Sequence, residues 1–163
     1  MQEITSVNNE LVKETVKLQQ KKYRDAENKF LLEGKKCVEE AIEAGINIDY
    51  IWVLKDKSHQ HRILKQVQND SKIILTTEPV LKKISTTDSA PEIVAIAYKK
   101  VMNAPKNPNK LVLLENIKDM GNLGTILRTS VAFGADAVIL YGKECADIYN
   151  PKCVRSAVGN LWK

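Results

Sequence analysis

The run Leu111-Val112-Leu113-Leu114-Glu115-Asn116-Ile117-Lys118-Asp119-Met120-Gly121-Asn122-Leu123-Gly124-Thr125-Ile126-Leu127-Arg128-Thr129-Ser130 decides how the rest of the chain is read. Leu111 to Leu114 are all apolar, which predicts a short strand covered on both faces, as in a parallel sheet. A polar loop follows. Asn122 fits an N-cap, because its side chain can accept from the backbone N–H two or three residues on. The helix it opens extends to Phe133 with Gly134 at C′. Ala137 to Tyr141 supplies the next strand, completing a βαβ unit whose loops gather at the strands' C-terminal edge, where ligands bind. Gly124 and Arg128 stand four apart, about 40° from each other around the helix. With no Cβ at Gly124, a substrate or another backbone can come close to the Arg128 guanidinium. The alternative is plain packing: Gly124 admits a neighbouring helix and Arg128 pairs with a carboxylate. A second segment, Asn150-Pro151-Lys152-Cys153-Val154-Arg155-Ser156-Ala157-Val158-Gly159-Asn160-Leu161-Trp162, follows about one βαβ unit later, as a partner from the same site would.

Outward from this unit, Val101 to Lys110 carries two prolines, three asparagines and no large apolar residue after Met102, and reads as a linker. Residues 1–100 precede it and 111–163 follow it. In the first part, apolar runs at Lys29–Leu32, Tyr50–Leu54, Ile73–Leu75 and Ile93–Tyr98 read as strands. They alternate with helices at Lys35–Ala44, closed by Gly45, at Ser58–Asn69, and from Glu78-Pro79. That alternation argues for a layered α/β domain of about 100 residues. The second part, from Lys110 on, has 54 residues, too few for an ordinary independent core.

Ahead of the first domain a helix is expected from about Asn9 to Tyr23. Leu11, Val12, Val16 and Leu18 gather loosely on one side and should dock on the domain. Lys13, Lys17 and Lys21 recur every fourth residue, and Lys22 and Arg24 continue the charge past the helix end. This stripe reads either as a solvated face or as a track for a phosphate backbone.

Composition removes whole classes of function. The 163 residues are 44% hydrophobic and 28% charged, as in a soluble globular protein. No basic-then-apolar leader opens the chain and no apolar run nears about 18 residues, so a cytoplasmic protein is expected. Cys37, Cys145 and Cys153 lack the close pairing zinc needs, and His59 and His61, the only histidines, read as exposed helix residues. The excess of 25 Lys and Arg over 20 Asp and Glu favours a polyanionic partner. Gly121, Gly124 and Gly134 lack the Gly-x-Gly-x-x-Gly spacing of a nicotinamide site, and neither histidine sits near a nucleophile turn.

Asn122-Leu123-Gly124-Thr125-Ile126-Leu127-Arg128-Thr129 resembles the first motif, Asn-x-Gly-x-x-x-Arg-(Thr/Ser), of the TrmH/SpoU family of RNA ribose methyltransferases, within the knotted SPOUT class. Asn150 to Trp162 resembles its second motif. Lys22-Tyr23-Arg24 followed by Phe30-Leu31-Leu32-Glu33-Gly34 looks like the substrate-binding domain often placed ahead of the catalytic one. The resemblance implies an N-terminal α/β/α substrate-binding domain followed by the first part of a SPOUT-type parallel-sheet α/β domain.

It also implies methyl transfer from S-adenosylmethionine to a ribose 2′-hydroxyl of rRNA or tRNA, in homodimers held through the catalytic domain. Arg128 and Asn122 become the catalytic pair. Arg128 would clamp a neighbouring phosphate, since a guanidinium essentially never loses its proton, and Asn122 would position the ribose or support the loop. Gly124 would leave room for the sugar, and Lys13, Lys17, Lys21, Lys22, Arg24 and Arg155 would join it in holding RNA. Ser156 stands one position earlier than the second motif has its serine or threonine. The third motif of the family is expected beyond Lys163, so no cofactor-binding residue is assigned and poor cofactor binding by these residues is expected. That leaves an inactive N-terminal fragment with exposed apolar strand edges as the first expectation, and a non-catalytic structured-RNA-binding module as the alternative.

Overall fold

The computed structural model describes residues 2–60 and 72–162. Strand β1 (Gln2–Ile4) leads to helices α1 (Glu10–Lys17) and α2 (Lys21–Glu27), then β2 (Lys29–Glu33), α3 (Lys35–Glu43), β3 (Ile48–Leu54), β4 (Lys72–Thr76), α4 (Glu78–Ile84) and β5 (Ile93–Tyr98). After an irregular stretch come β6 (Leu111–Glu115), α5 (Met120–Ala132), β7 (Ala137–Tyr141) and α6 (Pro151–Ala157). The first five strands form one mixed sheet in the order β1-β4-β3-β5-β2, with β1, β4 and β3 parallel and β5 antiparallel to both its neighbours. β6 and β7 pair in parallel, Leu111 opposite Ala137 through Glu115 opposite Tyr141. This is the α/β architecture the sequence predicts.

Period-two alternation sorts the large sheet into two cores. On one face Phe30, Leu32, Ile51, Ile93, Ala95 and Ala97 meet Val38 and Ala41 of α3. On the other, Leu31, Trp52, Ile74, Val94 and Ile96 meet Val12 of α1 and Val80, Leu81 and Ile84 of α4. Between β6 and α6 the chain turns back, and Tyr149, Val154, Ala157, Leu161 and Trp162 complete the α3-side core. The Phe30 ring lies 4.9 Å from Tyr149 and 5.5 Å from Trp162, centroid to centroid. The 54-residue second part thus has only a small core of its own, Leu123, Ala146 and Cys153 between α5 and α6, and it borrows the sheet of the first for the other side of α6. The face of β6 and β7 away from α5 stays bare, with Leu111, Leu113, Ile139 and Tyr141 exposed.

One local expectation is overturned and one short strand went unread. The single helix over Asn9–Tyr23 is two helices, broken at Leu18 to Gln20 without glycine or proline. Arg24 causes the break: its Nη1 donates to Leu18 O at 2.9 Å and Gln19 O at 2.8 Å, carbonyls a continuous helix would bond to its own later N–H groups. Gln19 Nε2 meanwhile donates to the last carbonyls of α4, Lys83 O at 3.2 Å among them. Leu11, Val12, Val16 and Leu18 do dock on the sheet, as read. The edge strand β1 had no sequence signal, being three residues long; it is held by pairing to β4 and by Thr76 Oγ1 donating to Ile4 O at 2.5 Å. Lys55 to Gln60 form a 3-10 helix; the remainder of the helix expected to Asn69, with the side chains of His59 and His61, lies outside the described residues.

The two parts are riveted by charge. Arg24 Nη2 meets Asp147 Oδ2 at 2.6 Å, and Nε meets the same oxygen at 3.0 Å, with both side chains almost wholly buried. Removing one partner of a buried pair strands the other in low dielectric, at a cost of about 3–5 kcal/mol. Asp147→Ala is therefore expected to lower the free energy of unfolding by about 3 kcal/mol, measured by urea denaturation. A change below about 1 kcal/mol would show the pair to be incidental.

Candidate functional site

Helix α5 opens at Asp119, not at Asn122. The Asp119 Oδ1 accepts the Asn122 N–H at 2.7 Å, and Lys152 Nζ of α6 reaches Oδ2 at 3.3 Å. An aspartate satisfies the cap and adds charge at the positive helix end. Those contacts, the Asn122 N–H first and Lys152 next, hold the Asp119 carboxyl below the usual aspartate range. Asn122 sits inside the first turn, exposed, and its side chain bonds to no group among the described residues. It shares the outward face of α5 with Thr125, Arg128 and Thr129, all exposed. Arg128 makes no ion pair or hydrogen bond among the described residues. The carboxylate-paired alternative for Arg128 is thus absent, and a guanidinium with five donors stands open to solvent.

Gly124 serves the other reading. An added Cβ there would stand 2.5 Å from Cys153 O, 2.6 Å from Ser156 Cβ and 2.9 Å from Ala157 N. The bare Cα admits the backbone of α6 and leaves no room for a sugar, which corrects the assignment of Gly124 to substrate. Ser156 is half-buried at the same contact.

Several expected RNA contacts are already committed. Arg24 is buried against Asp147, Leu18 and Gln19, so it tracks no phosphate. Arg155 Nη1 bonds to Glu33 Oε2 and, at 2.9 Å, to Thr86 Oγ1. Glu33, at the end of β2 and fully buried, also accepts Thr86 N–H at 2.6 Å. Arg155 therefore ties α6 to the large sheet. Lys13 pairs with Glu10 at 2.7 Å and Lys21 with Asp25 at 2.5 Å, both exposed pairs that a polyanion can outcompete. Lys17 and Lys22 lie over the Tyr23 ring at 5.9 and 4.6 Å and carry no ion pair among the described residues. The residues the sequence reading missed are acids, Glu33 after an apolar run and Asp147 before Ile148-Tyr149. A lone carboxylate inside apolar sequence was the available signal.

At the strand ends Asn116, with φ 48°, turns back so that its Oδ1 accepts Glu144 N–H at 3.3 Å, joining the loop after β6 to the loop after β7. Burial pushes the Cys153 thiol up to about 12, with Asp147 adding to the shift, so Cys153 is no nucleophile. No cluster of metal-ligating side chains occurs among the described residues, nor is any helix there long and apolar enough to cross a membrane. Beside β7 an apolar groove of about 520 Å³ is lined by Met102, Pro105, Leu127, Val131, Leu140 and Ile148, among others. Asp136, its one charged lining residue, spends its Oδ2 on Asn109 N–H at 2.7 Å and Lys110 N–H at 2.8 Å.

Comparison with known proteins matches residues 9–95 to the MRM3-like substrate binding domain and residues 109–163 to the SpoU rRNA Methylase family. The chain is 35% identical to the 23S rRNA (guanosine(2553)-2′-O)-methyltransferase RlmP of Bacillus subtilis, over 98% of the chain and 62% of that protein. Against the mitochondrial rRNA methyltransferase 3A of Danio rerio the identity is 32%, over 84% of the chain and 33% of that protein. A solved structure of an AdoMet-bound rRNA methyltransferase from Sinorhizobium meliloti superposes with a TM-score of 0.86 at 29% identity, covering 99% of the chain and 62% of its own. The chain therefore spans about three fifths of the first relative and a third of the second.

Two outcomes follow from the α5–α6 contact. Gly124→Ala is expected to cost about 1–3 kcal/mol by forcing α6 outward, read as a lower thermal midpoint; unchanged stability with lost RNA binding would restore Gly124 to the substrate. The lowered Asp119 carboxyl contributes stability above the ordinary value of 3.8, lost as pH falls through its lower folded value. Asp119→Asn keeps a capping oxygen, so acid titration of unfolding should be shallower below that pH while helix content persists.

Proposed function

Because the chain belongs to the SpoU family of rRNA methylases, with an MRM3-like substrate-binding part ahead of the methylase part, we propose that it supplies the RNA-binding and ribose-positioning elements of an RNA 2′-O-ribose methyltransferase. The methyl donor is S-adenosylmethionine and the substrate is ribosomal RNA, with transfer RNA second. The observation that carries this reading is the open Arg128 guanidinium on the same exposed helix face as Asn122.

A ribose hydroxyl is a weak nucleophile until its proton leaves or its developing charge is stabilised. Arg128 stays protonated and so cannot be the base. It grips the phosphate beside the acceptor ribose, fixing the 2′-oxygen, and the proton passes to that phosphate or to water. Asn122 offers an amide to the ribose from the first turn. Lys152 and Asp119 are positioning residues: their bridge holds the start of α5 against α6. S-adenosylmethionine carries a sulfonium and a zwitterionic head, and the groove beside β7 offers them one carboxylate, Asp136, whose Oδ2 is already bonded to two backbone N–H groups, and no cation for the donor's own carboxylate. Lacking that cation, these residues alone do not fit the donor. A non-catalytic structured-RNA-binding module is the second reading, favoured by that same misfit.

The test is transfer of radiolabelled methyl groups to ribosomal and transfer RNA by the protein expressed from its own gene. Alkali-resistant dinucleotides are the expected product. Arg128→Ala should abolish turnover, a loss of at least a hundredfold, with the melting curve unchanged because the side chain is exposed. RNA binding without methylation supports the module; full activity of Arg128→Ala removes Arg128 from the mechanism.

A further inference from the structure

On the sheet face opposite α6 lies a cleft of about 490 Å³ that the ribose chemistry does not use. Its walls hold Tyr23 of α2, Tyr50 of β3 and Tyr98 of β5, with Lys17, Lys29 and Lys72. The lysines and rings are matched by strand register: Lys29 stands opposite Tyr98 and Lys72 opposite Tyr50. Their ammonium groups lie 5.1 and 5.0 Å from the ring centroids. Glu14, Glu27 and Asp49 also line the cleft, so the three lysines are offset and the site is no general polyanion trough. Asp49 is held by Lys29 at 2.7 Å. Glu14 and Glu27, both exposed, bond to no other group among the described residues.

Aromatic faces, open carboxylates and ammonium groups at the rim make up the chemistry of an unpaired nucleotide. As the ammonium groups now over the rings turn to its phosphate, the rings can stack a base and a carboxylate can accept from an exocyclic amine, with Lys17 of the cleft wall the cation beside Tyr23 of α2. A paired base buries its faces in the helix and offers the rings nothing. Resting on the RNA reading above, we propose that this cleft captures one unpaired, amine-bearing nucleotide of the substrate, distinct from the methylated one. The separation is structural: the cleft and Arg128 lie on opposite sides of the five-stranded sheet. Tyr23 precedes Arg24, whose pairing with Asp147 fixes the cleft wall to the methylase part.

The experiment measures binding of this chain to two RNA hairpins, one fully paired and one carrying a single bulged adenosine, by fluorescence anisotropy. The chain should prefer the bulged hairpin by about tenfold, the range of one stacked base. Tyr50→Ala with Tyr98→Ala should erase that preference while leaving paired binding and its salt dependence unchanged. Tyr50→Phe with Tyr98→Phe, which keeps the stacking faces, should retain it, so a folding defect in the alanine pair cannot imitate the result. Equal affinity of the wild-type chain for both hairpins, or a preference that survives the alanine pair, overturns the cleft and leaves the methylation reading intact. Failure to bind either RNA overturns both.

Discussion

A buried guanidinium organises this molecule. Arg24 spends its donors on the carbonyls of Leu18 and Gln19, which ends α1, and on Asp147, which brings in the chain after β7. One side chain thus sets the break between two helices and the docking of two sequence-distant parts. A second pair, the buried Glu33 with the half-buried Arg155, acts in the same sense at the far end of α6. Replacing such pairs by apolar groups is often neutral or stabilising, so their value lies in register. Apolar surface alone would let α6 slide on the sheet, and a charge in low dielectric tolerates only one partner geometry.

That register reaches the candidate site. α6 packs into the bare Cα of Gly124 on one side and into the Phe30, Tyr149 and Trp162 cluster on the other. It therefore fixes α5 against the large sheet, and with it the exposed face carrying Asn122 and Arg128. The face that could meet RNA is short of committed partners, and the face beneath it is crowded with them. Open polar groups over a rigid support are what a binding surface needs to avoid reorganisation when ligand arrives.

The sequence was most readable where local pattern and tertiary role agree. Ile93–Tyr98 and Ala137–Tyr141 form as read, because an apolar run bounded by polar residues has one stable use in a layered fold. Gly45 and Gly134 close their helices with φ of +69° and +66°, as left-handed caps should. It failed where the deciding partner lies far along the chain. Arg24 looked like a surface cation because Asp147 is 123 positions away, and Arg155 looked like an RNA ligand because Glu33 is 122 away. Gly124 was legible as a close-approach site but not as to which body approaches. Asn122 lost the cap to Asp119, three residues earlier and better matched to the helix end.

The stretch between Tyr98 and Leu111 has the composition of a seam, yet the cores on either side of it are not separable. Residues from beyond the seam fill the hydrophobic interior ahead of it, and acids and arginines are matched across it in pairs. A crossover at that seam between two homologous genes would mate an arginine with a foreign partner at each end of α6. The MRM3-like part and the SpoU part are thus coupled through these pairs, and exchanging the front half between relatives would require moving the acid and the arginine of each pair as a unit.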